Sequence, residues 1–143
     1  MKRHIALQPL SREHHGALLL AQLLRNDAPD YAGLPTDIQG KAAYAGNFYR
    51  ETLQQHFEKE ETIFNQSKGL ATDLDTMIDE TIAEHLLLKK LFTELNTPYI
   101  SNDQLHTLGL LLNSHIRNEE RVLFPLLEQY CSAELLEQFR LLL

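Results

Sequence analysis

The chain has one cysteine and no tryptophan. The lone Cys131 excludes an intramolecular disulfide and leaves no Cys-based zinc or iron–sulfur site. Nothing in the composition asks for an oxidising compartment. Positive charge is scarce: 13 Lys and Arg stand against 20 Asp and Glu, for a formal net charge of −7. Without a basic stripe, nucleic acid and anionic membranes are poor partners. Long apolar runs are missing as well, and stretches such as Ala17 to Ala21 fall far short of a bilayer span. The start, MKRHIALQPLSREHH, carries charge with no apolar stretch behind it, so no secretory signal is expected. These absences predict a soluble cytoplasmic protein. The chain also lacks a Gly-rich phosphate loop, a His-Glu-x-x-His zinc-protease motif and any Ser/His/Asp or Cys/His catalytic pattern. No Glu has a His three residues later, which removes the paired motif of ferritin-like carboxylate bundles.

What is present is helical periodicity. At 143 residues and 43% hydrophobic content, the chain suits one domain, residues 1–143, with one core. Ser11 reads as the cap of a first helix with Leu10, His14, Ala17, Leu18, Ala21 and Leu24 on one face, ending near Asn26. NDAPDYAGLPTD reads as a loop. A second helix is predicted over 38–66, with Tyr49, Leu53, His56, Phe57, Glu60, Ile63 and Phe64 in line, stopped by Ser67-Lys68-Gly69. A third covers about 72–96, with Leu74, Ile78, Ile82, His85, Leu88, Phe92 and Leu95 on one face. A fourth runs from Asn102 or Asp103 to about Tyr130 with Leu105, Leu108, Leu112, His115, Glu119, Val122, Leu123 and Leu126 in line, and Pro125 predicts a kink or early break. Ser132 to Leu143 predicts a short fifth helix. The expected fold is all-α: an antiparallel up-down four-helix bundle with a short C-terminal fifth helix.

One pattern occurs twice. HFEKEETIF begins at residue 56 and HIRNEERVLF at residue 115, each a His-x-x-x-Glu-Glu run followed closely by an aliphatic–Phe pair. Glu13-His14 and Glu84-His85 precede them, so the chain reads as two related helical hairpins. Residues four apart share a helix face, roughly 6 Å apart along the axis. His56 and Glu60, and His115 and Glu119, therefore point together, and on core stripes. An unpartnered buried carboxylate costs several kcal/mol. One metal centre compensates both Glu and all four core-facing His, namely His14, His56, His85 and His115. Satisfied core histidines in a polar network are the bland alternative. Imidazole and carboxylate together suit iron, zinc and other divalent ions.

These motifs, with EHHGALL and EHLLLKKLF ahead of them, resemble the hemerythrin or HHE cation-binding family over roughly Leu10 to Glu128. The resemblance implies a four-helix bundle around a non-haem diiron centre. His14 and His56 would bind one iron, and His85 and His115 the other. Glu60 and Glu119 would bridge them, often with an oxo or hydroxo group, and zinc or another divalent metal can occupy such a set. Oxygen-carrying members have a further His four residues after the one matching His85, where this chain has Lys89. A protonated amine is a poor ligand, so simple oxygen carriage is not implied. The implied role is binding or sensing of oxygen, nitric oxide or iron. The alternatives are a diiron oxidase, peroxidase or nitric-oxide detoxification enzyme, and a metal-free helical interaction module. Sequence names no protein partner.

His15 rivals His14, but its face, with Leu19 and Gln22, is more mixed. Glu58, Glu61 and Glu120 are expected in solvent, although a helix bulge can bring one of the latter two inward. His4 falls in an N-terminal segment expected to be mobile. His106 reads as surface or boundary. Tyr44 and Tyr49 read as core packing, Cys131 as inert, and the FRLLL tail as cover for the bundle end.

Overall fold

The computed structural model describes residues 2–143. They form α1 (Gln8–Leu24), α2 (Ile38–Phe48), α3 (Gln54–Ser67), α4 (Thr72–Thr93), α5 (Asn102–Asn118), α6 (Phe124–Tyr130) and α7 (Ala133–Leu142). Single π-helical turns, Tyr49–Leu53 and Glu119–Leu123, join α2 to α3 and α5 to α6. The result is five continuous helices with no strand among the described residues, packed as a helical bundle. No helix is long and apolar enough to cross a membrane.

Local chemistry sets most of the ends. Asp37, Ser101 and Ser132 cap the starts of α2, α5 and α7 through their side chains, and Ser101 with Gln104 completes a capping box. Gly69, at φ 93, lets the chain turn after α3 in a conformation that L side chains rarely adopt. The first helix departs from expectation. It begins at Gln8 without a side-chain cap, with Pro9 pre-set in its first turn, and stops at Leu24. Ser11 lies inside it, and its hydroxyl instead donates to the Glu120 carboxylate at 2.8 and 3.0 Å. The segment before α1 is packed: Ala6 and Leu7 are fully buried, and His4 accepts the Ala6 amide at 3.0 Å.

The predicted break at Pro125 is replaced by a π turn. Between its Glu pair and its aliphatic–Phe pair, the first motif has one residue, Thr62, and the second has two, Arg121 and Val122. A π turn absorbs one additional residue without ending a helix. Past it the buried face moves on by one position. Leu123, Phe124 and Leu127 are buried, whereas Val122 is 41% exposed and Leu126 only half-buried, against the straight-helix reading.

Two apolar clusters form the core. One gathers Ala17, Leu20, Leu24, Phe57, Leu88, Phe92, Leu112 and Ile116, with Tyr49 and a half-buried Tyr44 against it. The other gathers Leu10, Ile63, Phe64, Ile78, Leu123, Phe124 and Phe139. Each large side chain buried contributes about 1.5–3 kcal/mol. α7 covers the end of the second cluster with Leu136 and Phe139, leaving Leu141 and Leu142 in solvent. α1 packs on α5 with little space between backbones: a Cβ on Gly109 would lie 2.6 Å from the Ala21 carbonyl oxygen. α1, α3, α4 and α5 each carry one histidine at the boundary between the clusters.

Candidate metal centre

Between the two clusters lies a polar layer. His14 follows Leu10 on α1, and His56 and Glu60 lie between Leu53 and Ile63. His85 lies between Ile78 and Leu88 on α4, and His115 and Glu119 between Leu112 and Leu123. All six are at most 3% exposed. The structure brings together every residue that the sequence singled out. His15 is exposed and outside the layer, and His106 accepts the Asn26 amide near the surface.

Glu60 is central. Its Oε2 lies 3.3 Å from His14 Nε2 and 3.1 Å from His56 Nε2, while Oε1 lies 3.2 Å from His85 Nε2. Glu119 Oε1 lies 2.5 Å from His115 Nε2. Two overlapping groups result, each with one ligand atom per residue and those atoms within 4.8 Å of one another: His14, His56 and Glu60; and Glu60, His85, His115 and Glu119.

Proximity does not satisfy these atoms. Both His56 nitrogens, Glu60 Oε1, His85 Nε2, His115 Nε2 and both Glu119 oxygens are buried without an aligned hydrogen-bond partner. Buried polar groups are nearly always paired, so one orphan is unusual, and the six of these that face into the layer need a common cause. Imidazole and carboxylate donors are what a first-row divalent cation takes, and a cation meets all six. The residues present fit such an ion.

The outer edge of each imidazole meets a second carboxylate. His14 Nδ1 is 2.8 Å from Glu120, His85 Nδ1 3.1 Å from Glu61, and His115 Nδ1 2.7 Å from Glu84. His56 Nδ1 is 3.7 Å from Glu13, a looser ion-pair distance. A carboxylate holding Nδ1–H leaves Nε2 as the free donor and fixes the ring plane. Glu61 and Glu120 therefore do not stand free in solvent. They are partly buried, because α3 and the π turn aim them at histidines on neighbouring helices. The sequence carried a signal for this: Glu precedes His14 and His85, and a second Glu follows Glu60 and Glu119.

Without a cation, protons do its electrostatic work. Burial alone pushes His14 down, but Glu120, Glu60 and Glu119 outweigh it and raise its pKa to about 9. His56 is raised to about 10, burial being outweighed by Glu60, Glu13 and Glu119. His115 also reaches about 10, burial being outweighed by Glu119, Glu84 and Glu60. His85 is raised as well, with Glu60, Glu61 and Glu119 overcoming its burial. Burial and the adjacent Glu60 charge push Glu119 up. Glu60 is itself buried, yet His56 and its other partners hold it well below the usual carboxylate range. Metal and protons thus compete for the same nitrogens.

Phe57 stacks on His85 with ring centroids 4.1 Å apart, and Phe124 on His14 at 5.5 Å. Beside His85 a half-open groove of about 190 Å³ is lined by Tyr49, Gln54, Phe57, Glu61 and Lys89, among others. Lys89 itself is exposed and stays outside the layer.

No curated protein and no solved structure matches the chain. A family model does, the hemerythrin HHE cation binding domain, over residues 6–127, and that span holds all six layer residues and the four carboxylates behind them. The chain belongs to the hemerythrin HHE cation-binding domain family.

Proposed function

We propose that the chain is one domain, an antiparallel up-down bundle that holds two iron ions and uses them to bind or sense oxygen, nitric oxide or iron. In this reading His14 and His56 hold one ion, His85 and His115 the other, and Glu60 and Glu119 lie between them. The observation that carries it is the set of six buried, unpaired donor atoms in one layer. The order in which the helices cross that layer supports the topology. α1 and α4 run from the second apolar cluster to the first, and α3 and α5 run back. When bound, the ions supply redox and Lewis-acid chemistry at a small ligand.

The chain's own residues do the rest. Glu61, Glu84 and Glu120 orient the rings and hold the Nδ1 protons of His85, His115 and His14, and Glu13 faces His56 at the longer distance. The apolar clusters keep water from the layer. No protein nucleophile is placed there. The groove beside His85 favours a second reading, turnover of peroxide or nitric oxide, because it brings a small molecule to the edge of the layer.

Metal content per chain, measured by elemental mass spectrometry on protein from iron-supplied cells, tests the proposal beside a Glu60→Ala/Glu119→Ala control. Two iron per chain, lost in the control, is expected. Equal metal in both proteins overturns the site, and none in either overturns the proposal and favours the interaction-module reading.

A further inference from the structure

The two halves of the layer are built from the same repeat, yet they differ in what stands behind the histidines. On the His14/His56 side the outer carboxylates are already engaged. Glu120 lies 3.6 Å from the Arg3 guanidinium and accepts from Ser11. Glu13 lies 3.3 Å from the Lys59 ammonium. Arg3 is anchored further by the Glu120 carbonyl, by an ion pair to Glu128, and by its position over the Phe124 ring, 5.5 Å from the centroid.

The His85/His115 side has no such cations. Glu61 and Glu84 reach His85 and His115, and among the described residues neither pairs with a Lys or Arg. Lys89 lines the same groove as Glu61 but does not ion-pair with it. Their negative charge is therefore directed at the imidazoles alone, which makes those rings better donors. The inner donors differ in the same sense. Four residues converge on the His85/His115 side and three on the other.

From these two independent asymmetries we propose that the metal positions are unequal by design, with the His85/His115 position the tighter and the first to fill. Glu61 and Glu84 are the positioning residues that make it so. Arg3 and Lys59 weaken the other position by neutralising Glu120 and Glu13. This rests on the dinuclear reading above but goes beyond it, since that reading is silent on order.

The test is an anaerobic titration of the metal-free protein with ferrous iron, followed by calorimetry, with helical content checked for every variant. Wild type should bind in two resolved steps, the first at least about tenfold tighter, since removal of an outer-shell partner typically changes metal affinity 10–100-fold. Glu61→Gln with Glu84→Gln should weaken the first step by about tenfold or more and leave the second nearly unmoved. Lys59→Met, on the surface, should tighten the second step and narrow the gap, and Arg3→Met, whose side chain packs over Phe124, should do the same where helical content is kept. Two equal steps in wild type, or equal loss in both steps for the Glu61/Glu84 variant, overturns the inequality and leaves the dinuclear reading standing. No binding in well-folded wild type removes both.

Discussion

The apolar clusters and the polar layer between them obey opposite rules. In the clusters every side chain improves the fold by leaving water, and Leu, Ile and Phe need no partner to do so. In the layer two carboxylates and four imidazoles have left water at a loss, and seven of their atoms have no partner. The clusters specify a fold, whereas the layer specifies an occupant. Burying Glu60 and Glu119 takes two carboxylates out of water, a cost that a bound cation would offset.

The largest effect should come from the apolar side and should ignore metal. Leu24→Ala removes a side chain that is 1% exposed and is expected to destabilise by about 2–5 kcal/mol. Denaturant unfolding should give the same loss in chelated and metal-loaded protein; a loss that depends on metal would break the comparison.

pH sharpens it next. His14, His56 and His115 rise from 6.5 to about 9 or 10 in the metal-free fold, and His85 is raised too, so these histidines bind more protons in the folded state than in the unfolded. Their stabilising contribution is complete below about pH 6.5. It is lost as pH climbs through the folded values. Chelated protein should therefore lose stability between pH 6.5 and 10. Metal-loaded protein should change much less, because a cation replaces the protons. Matching pH profiles for the two forms would count against a shared site.

The smallest effect belongs to neither region. Ser101→Ala removes the α5 capping box and should cost about 1 kcal/mol by thermal unfolding, with metal stoichiometry unchanged.

Much of this division was legible in the sequence. The stripe from Tyr49 to Phe64 is buried as periodicity predicted, because the first π turn, Tyr49–Leu53, precedes His56 and leaves the face from Leu53 through α3 regular. His56, Glu60, His115 and Glu119 were visible because His and Glu recur at a four-residue spacing on faces otherwise made of Leu, Ile and Phe, and His14 and His85 because each is the one His on such a face. The π turn was not. Periodicity assumes a constant advance per residue, so Val122 and Leu126 were placed in the core, one step behind Leu123 and Leu127. The additional residue after Glu120, compared with the first motif, was the clue. Ser11 had the chemistry of a cap, but Pro9 allowed the helix to start before it. Glu61 and Glu120 were misread because a single helix wheel cannot show that a neighbouring helix presents a histidine.

The most direct measurement of the central claim is the stability gained on adding metal, in wild type and in Glu60→Ala/Glu119→Ala. At ferrous iron 100-fold above the dissociation constant, wild type should gain about 2.7 kcal/mol per site. The double variant should gain nothing while keeping its helical content. An equal gain in both proteins would contradict the account, because the metal would then be held somewhere other than between the two clusters.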